Sequence, residues 1–252
     1  MLDRREFLNL AAVGLTATVL PGARAEDNAA LRFKAIAFDG FPIFDLRPVA
    51  ALAETTFPGN GQALMNSWRT RQFEYQWLRA LAGHYADFRQ ATEDSLVFAA
   101  RSLKLDLPPY ARDKLMSGYS NLVVWPDVPS ALGTLHKAGV RLAILSNVTE
   151  RMLQDGIKRS GVDGLFEAVL STDRIRTYKP DPRAYQMGID ALHLRRDEIL
   201  FAPFAGWDAA GAKWFGYPTF WVNRLGSPAE ELDVTIDGSG PDLNALVKFV
   251  LG

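Results

Sequence analysis

Short apolar runs that end in polar residues occur once near the start of the chain and then alternate with helical segments over its second half. Five such runs lie at residues 34–39, 141–147, 168–171, 199–202 and 219–222. Helices are predicted between them at about 129–137, 149–160, 182–192 and 209–215. Strands buried on both faces are continuously apolar, and their alternation with helices is typical of a parallel sheet covered on both sides. The sequence therefore predicts an α/β fold.

A block without strand signals separates the first two of these runs. Over residues 46–120, large apolar side chains recur at helical spacing, as in Trp68, Phe73 and Trp77, and Pro108 with Pro109 interrupts the pattern. We therefore expect an all-helical cap over residues 46–120, inserted into a core domain formed by residues 26–45 and 121–252.

Composition excludes several classes of site and partner. The 252 residues carry a formal net charge of −1, so no basic surface for nucleic acid is expected. The chain has no cysteine, which excludes disulfides, thiolate nucleophiles, iron–sulfur clusters and cysteine zinc sites. Its three histidines are scattered and no pair has ligand spacing, so neither a metal nor another cofactor is expected.

Residues 1–25 have the pattern of an export signal. The pair Arg4-Arg5 precedes an apolar run over about residues 8–20, and Ala23-Arg24-Ala25 is a small-x-small cleavage site. The paired arginines resemble a twin-arginine signal. We expect cleavage after Ala25 and a periplasmic protein with no membrane association after cleavage, because the run is too short to span a bilayer. The alternative is an ordinary N-terminal helix.

Chemically competent side chains follow the predicted strands at four places in the chain. They are Asp39, Ser146 with Asn147, Lys179 and Asp208. Each alone is an ordinary turn or helix-capping residue, but the carboxyl ends of parallel strands share one edge, where ligands bind. A carboxylate there can act as a covalent nucleophile, a lysine can orient it, and a second carboxylate can activate water.

The surrounding motifs resemble those of the haloacid dehalogenase superfamily. These are Phe38-Asp39, Leu145-Ser146-Asn147, Tyr178-Lys179-Pro180-Asp181 and Trp207-Asp208-Ala209-Ala210-Gly211-Ala212-Lys213. The cap segment 68–79 and the tail segment 220–224 are similar to the L-2-haloacid dehalogenases (type II). The resemblance implies a Rossmann-like core with a helical cap, the haloacid dehalogenase fold.

The resemblance also implies a reaction. Asp39 would displace halide from C2 of a small 2-haloalkanoic acid, and hydrolysis of the ester, assisted by Asp208, would give a 2-hydroxy acid. The remaining roles are carried over by motif position. Ser146 and Lys179 would bind the substrate carboxylate and orient Asp39, Tyr185 would support the lysine, and Arg69 with Asn147 would bind the departing halide near Trp207.

Three phenylalanines, Phe41, Phe73 and Phe88, would line the alkyl pocket under this interpretation, although ordinary packing explains them equally well. Most relatives in the superfamily are magnesium-dependent phosphatases, which carry acids where this chain has Phe41 and Phe204. Phenylalanine offers no oxygen ligand to magnesium, so phosphatase activity is the lesser alternative.

The chain departs from its relatives in two loops. Where dehalogenases read Asp-x-Tyr-Gly-Thr-Leu-Phe-Asp, residues 39–45 lack one position and carry Pro42, and residues 203–205 replace a supporting serine and asparagine with Pro, Phe and Ala. Two interpretations follow: an active dehalogenase with a drier pocket, or a catalytically weakened protein that binds a small carboxylate. A homodimer is plausible in either case because the cap is rich in aromatic residues.

Overall fold

The computed structural model describes residues 31–252, which form one compact unit. The predicted export signal and its cleavage site lie outside these described residues. So do residues 26–30 of the predicted core domain.

A four-stranded parallel sheet lies at the centre of the unit, as the apolar runs predict. Its strands are β1 (Ala35–Phe38), β2 (Arg141–Ser146), β3 (Ala168–Ser171) and β4 (Ile199–Ala202). They are arranged in the order β3-β2-β1-β4, and all pairs are parallel. From β1 the chain continues to β2 and β3 on one side of it and then crosses to β4 on the other side. A ligand is therefore expected to bind in the crevice beyond the carboxyl end of β1.

Alternate residues of each strand belong to two separate cores. In β1, Ile36 and Phe38 pack into a large cluster, whereas Ala35 and Ala37 pack into a smaller one. This is the period of two expected of a strand that is covered on both faces. All four residues of β1 are buried, which confirms the α/β fold with a doubly covered parallel sheet.

Most of the remaining regular structure is helical. In chain order they are α1 (Gly40–Ile43), α2 (Arg47–Thr56), α3 (Gly61–Leu81), α4 (Phe88–Ser102), α5 (Pro109–Ser120), α6 (Val128–Lys137), α7 (Glu150–Arg159), α8 (Pro182–Leu192), α9 (Gly206–Phe215) and α10 (Leu243–Leu251). Short 3₁₀ turns lie at Asp163–Leu165, Thr172–Ile175 and Arg196–Glu198.

Helices α2–α5 form what we call the helical layer, residues 47–120. The indole Nε1–H of Trp68 in α3 donates to the carbonyl of Thr92 in α4 at 2.7 Å, and Gln72 Nε2 donates to Thr92 Oγ1 at 2.5 Å. Trp68 belongs to the same apolar cluster as Phe38 of the sheet. The layer is therefore packed onto the sheet, while its definition as a separate cap domain stays a prediction.

The structure differs from the sequence-based expectation near the end of the chain. The last predicted strand is β5 (Phe220–Val222), which pairs in parallel with β6 (Gly238–Gly240) in a second, two-stranded sheet. A bridge between Phe201 and Thr219 connects it to the main sheet, and the N–H of Val222 donates to the carbonyl of Pro203 at 3.0 Å. Neither β6 nor α10 was predicted, and α9 begins three residues earlier than expected.

No helix among residues 31–252 is long and apolar enough to cross a membrane. Apolar side chains are exposed at several places on the surface, including Leu81 (87%) and Trp214 (59%). The homodimer stays a prediction.

Arg224 connects the loop after β1 to the C-terminal part of the chain. Its guanidinium, in a side chain that is 4% exposed, donates to both carboxylate oxygens of Asp127 at 3.0 Å and to the carbonyl of Pro42 at 2.6 and 3.0 Å. Asp127 also accepts the N–H of Leu243 at 2.8 Å. One buried ion pair thus fixes the altered loop that contains Pro42.

We predict that Arg224→Met lowers the free energy of unfolding by about 3 kcal/mol, because it leaves the carboxylate of Asp127 without its cation. Urea denaturation followed by circular dichroism measures the change. The control is Arg151→Met, which removes an exposed pair with Asp155 (side chains 93% and 55% exposed) and should change stability by less than about 1 kcal/mol. Equal effects of the two substitutions would contradict the prediction.

Candidate active site

Asp39 lies directly after β1 and begins the one-turn helix α1. Its Oδ2 accepts the backbone N–H of Phe41 at 3.2 Å, so the carboxylate is held by the N-terminus of that turn. A side chain at Gly40 would place a Cβ 2.7 Å from Ser146 Oγ, so glycine allows β2 to approach this closely. The loop that departs from the relatives therefore still presents Asp39 at the edge of the sheet.

Lys179 lies between two carboxylates. Its Nζ is 2.8 Å from Asp39 Oδ1 and 2.5 Å from Asp208 Oδ2. The lysine side chain is 1% exposed, and the side chain of Asp208 is 2% exposed. The structure brings these three side chains together at the edge of the sheet, where β1, the segment after β4 and the loop before α8 meet, while their catalytic roles stay predictions.

Burial and mutual charge shift the protonation of this group. Burial raises the pKa of Asp208 to about 6, against the opposing effect of the Lys179 ammonium, and the negative charge of Asp39 raises it further. For Lys179, burial disfavours the ammonium, but the carboxylates of Asp208 and Asp39 outweigh it, so that its pKa is raised. The lysine is therefore charged at neutral pH, whereas Asp208 titrates at a pH of about 6.

Ser146 and Tyr185 support the two carboxylates. Ser146 Oγ donates to Asp39 Oδ1 at 3.3 Å. Tyr185 Oη donates to Asp208 Oδ1 at 2.8 Å, and burial raises the pKa of this phenol well above its ordinary value. The tyrosine therefore supports Lys179 through Asp208.

A small enclosed pocket opens onto Asp39. Its lining combines the acidic residues with an aromatic wall: Asp39, Phe41, Phe73, Gln76, Phe88, Ser146, Asn147, Phe204, Ala205, Trp207 and Asp208. The three predicted phenylalanines are all in this lining. Phe204 and Ala205, in the second altered loop, complete an apolar surface next to the nucleophile.

Arg69 lies behind that wall. Its guanidinium carbon is 5.7 Å from the ring centre of Phe41, 5.9 Å from that of Phe73 and 5.5 Å from that of Phe204. It lines a neighbouring surface groove and is not in the lining of the pocket. The aromatic side chains separate Arg69 from Asp39, and its role toward halide stays a prediction.

The amide of Asn147 is engaged on both sides. Its Oδ1 accepts the backbone N–H of Lys179 at 2.9 Å and Thr172 Oγ1 at 3.3 Å, and its Nδ2 donates to Gln76 Oε1 at 3.0 Å. The predicted halide donor is thus already hydrogen-bonded to another residue in this structure. Gln76 was not predicted; the available signal was a glutamine on the apolar side of a helix, four residues after Gln72.

The donor set of the pocket does not suit magnesium. Phe41 and Phe204 line it at the positions where the phosphatases of the resemblance carry acids. Lys179 Nζ, a cation itself, lies between the two carboxylates that a metal would need. Within residues 31–252, no group of three or more acidic, histidine or cysteine side chains is placed to hold a metal ion.

Comparisons with known proteins identify the family of this chain. A model of the haloacid dehalogenase-like hydrolases matches residues 11–216. The chain is 41% identical over 217 residues to the (S)-2-haloacid dehalogenase of Pseudomonas sp. (strain YL), which covers 86% of this chain and 94% of that protein.

Two solved structures extend the likeness. The crystal structure of an L-2-haloacid dehalogenase is 42% identical, with a TM-score of 0.85 over 87% of this chain and 99% of that one. The enzyme from Xanthobacter autotrophicus with chloropropionic acid covalently bound is 32% identical, with a TM-score of 0.80 over 87% and 99%. The chain therefore belongs to the L-2-haloacid dehalogenase family of the haloacid dehalogenase-like hydrolases.

Proposed function

We propose that this protein hydrolyses small (S)-2-haloalkanoic acids to 2-hydroxy acids through an ester on Asp39, without a metal. The observation that carries the proposal is the placement of Asp39, paired with the buried Lys179, at the mouth of an aromatic pocket. A covalent carboxylate nucleophile needs an ionised, oriented carboxylate and a dry approach to carbon, and this arrangement supplies both.

In the first step, an oxygen of Asp39 attacks C2 of the acid. The new O–C bond forms as the carbon–halogen bond breaks, and the electron pair leaves with the halide, so that C2 is inverted. Lys179 and Ser146 hold Oδ1, and the N–H of Phe41 holds Oδ2, which fixes the direction of attack.

In the second step, water attacks the ester carbonyl of Asp39. Asp208 is the base that accepts a proton from this water, and Lys179 stabilises the oxyanion that forms on the ester. Tyr185 keeps the carboxylate of Asp208 in place. The bond between the carbonyl carbon and the alkyl oxygen then breaks, and that oxygen takes up the proton held by Asp208, which releases the 2-hydroxy acid. The second proton of the water leaves to solvent, and Asp39 is restored as a carboxylate.

Residues 1–25 are proposed to direct export of the folded chain to the periplasm, with cleavage after Ala25. The support is the sequence pattern alone: the paired arginines, the apolar run and the small-residue cleavage site.

We predict that Asp39→Asn lowers halide release from (S)-2-chloropropionate by on the order of 10⁴-fold or more, because the nucleophile is lost. Halide is measured in the presence of EDTA, and mass spectrometry follows the ester on the unmodified protein. The matched control is Asp45→Asn, which alters another buried aspartate, paired with Arg47 at 2.8 Å, outside the pocket lining.

Halide release that survives in Asp39→Asn, or that requires added magnesium, would contradict the proposal. A folded protein that binds the acid but forms neither ester nor free halide would favour the carboxylate-binding alternative.

A separate prediction concerns the pH dependence of ester hydrolysis. Ester hydrolysis should slow at acidic pH, because protonated Asp208 no longer accepts a proton from water. The midpoint should lie below the pKa of about 6 of the free protein, since the ester removes the negative charge of Asp39 that helps to raise it. Asp208→Asn should lower the rate and remove this dependence. The measurement is single-turnover decay of the ester over a pH series.

Protonation of Asp208 should slow ester hydrolysis but not destabilise the folded state, so the two effects of low pH can be told apart. Since folding raises the pKa of Asp208, its protonation stabilises the folded state; this contribution is complete below the unfolded pKa of 3.8 and is lost as the pH rises through about 6. Melting temperatures at the same pH values are the control. A rate of ester hydrolysis that does not fall at any pH below about 6 at which the protein stays folded would show that Asp208 is not the base.

A further prediction concerns export of the chain. Replacing Arg4 and Arg5 together by lysines should keep the chain in the cytoplasm as an uncleaved precursor, since twin-arginine export reads the paired guanidinium groups. Cell fractionation and the N-terminal sequence of the recovered protein measure the outcome. Periplasmic recovery of the variant in normal yield would contradict the assignment.

A further inference from the structure

The orientation of the Asn147 amide is fixed by a backbone donor. The N–H of Lys179 can only donate, so the atom of Asn147 that faces it at 2.9 Å is the oxygen, Oδ1. The hydroxyl of Thr172 donates to the same oxygen. The nitrogen, Nδ2, is therefore turned the other way, toward Gln76 of α3.

This orientation determines that of Gln76 in turn. Since Asn147 Nδ2 donates, Gln76 presents its oxygen at 3.0 Å and leaves its nitrogen, Nε2, at the free end of the amide. Gln76 is fully buried, and its Nε2 has no hydrogen-bond partner among residues 31–252. A buried N–H group without an acceptor is unfavourable and is found where a ligand supplies the acceptor.

The surroundings of Gln76 indicate what kind of acceptor this is. Gln76 lines the pocket of Asp39, whose other walls are mainly aromatic. Trp207 in the same lining also has a buried indole N–H without a hydrogen-bond partner in the described part of the chain. Lys179, the cation of the site, is already committed to two carboxylates. An anion entering this pocket therefore finds neutral N–H donors on α3 and α9.

We propose that Gln76 Nε2–H, a donor in this pocket wall that has no partner among the described residues, receives the halide that departs from C2. The inference rests on the proposed dehalogenation. The pocket lies between the sheet edge, which supplies Asp39, and α3, which supplies Gln76. Displacement with inversion sends the halide away from the attacking oxygen, and the N–H stabilises the charge that develops on it without transferring a proton.

The test is Gln76→Glu, which keeps an oxygen for Asn147 and replaces only the free nitrogen. The control is Gln72→Glu, the same change one turn earlier on α3 at another buried glutamine, whose Nε2 donates to Thr92. Single-turnover ester formation is compared for (S)-2-chloropropionate and (S)-2-bromopropionate. We expect the chloride substrate to slow by on the order of 10²-fold in Gln76→Glu.

The bromide substrate should slow less, because bromide is the better leaving group and depends less on the donor. The ratio of bromide to chloride rates should therefore rise in Gln76→Glu and stay unchanged in Gln72→Glu. An equal slowing of both substrates would place the donor on another substrate atom, such as the carboxylate, and would overturn the inference. Unchanged rates would do the same.

Halide binding without turnover gives a second measurement. In the Asp39→Asn background, calorimetry with sodium bromide should show affinity reduced about tenfold or more by Gln76→Glu and by the neutral Gln76→Met, since a hydrogen bond to an ion is lost. Gln72→Glu should leave it unchanged. If bromide affinity depends on Gln76 but the protein has no dehalogenase activity, the proposed function is refuted and the inference about Gln76 is not. If the enzyme is active but neither its bromide affinity nor its ratio of bromide to chloride rates depends on Gln76, the inference is refuted and the proposed function is not.

Discussion

The buried ammonium of Lys179 is the interaction on which the site depends. One positive charge lies within 2.8 Å of one carboxylate and 2.5 Å of another, so the group carries one net negative charge when all three are ionised. Two bare carboxylates could not share this apolar space. Asp208 is the more deeply enclosed of the two carboxylates, and its pKa is raised to about 6. The more exposed carboxylate, Asp39, is the one that substrate can approach.

The altered loops change the surroundings of this group more than the group itself. Pro42 introduces no gap at Asp39, because the short turn α1 keeps the N–H of Phe41 on the carboxylate and Arg224 holds the carbonyl of Pro42 from behind. In the second loop, Phe204 brings an aromatic ring where a polar residue would have held water. Displacement at carbon gains from this dry pocket, whereas hydrolysis of the ester must rely on Asp208 and Tyr185.

The parts of the molecule that sequence could predict are those with local signals. The bounds of β3 and β4 and of α8 agree with the predictions because apolar runs and a helix-starting Asp181-Pro182 mark them directly. Strand β6, a Gly-Ser-Gly segment, carries no apolar pattern at all. The convergence of Asp39, Lys179 and Asp208 was predictable because strand ends share an edge. The Asn147–Gln76 hydrogen bond joins residues 71 positions apart, and the position of Arg69 behind the aromatic wall depends on packing, which no local pattern records.

Hydrogen bonds connect helix α3 to the backbone of Lys179. Trp77 Nε1 donates to the carbonyl of Lys179 at 3.2 Å, and Gln76 reaches its N–H through the amide of Asn147. Both peptide groups next to the lysine are therefore connected to neighbouring residues of one helix. A displacement of α3 away from the sheet breaks both connections and removes Phe73 and Gln76 from the pocket in the same movement. The packing of the helical layer on the sheet, the position of Lys179 beside Asp39, and the position of the proposed halide donor Gln76 thus depend on one set of contacts.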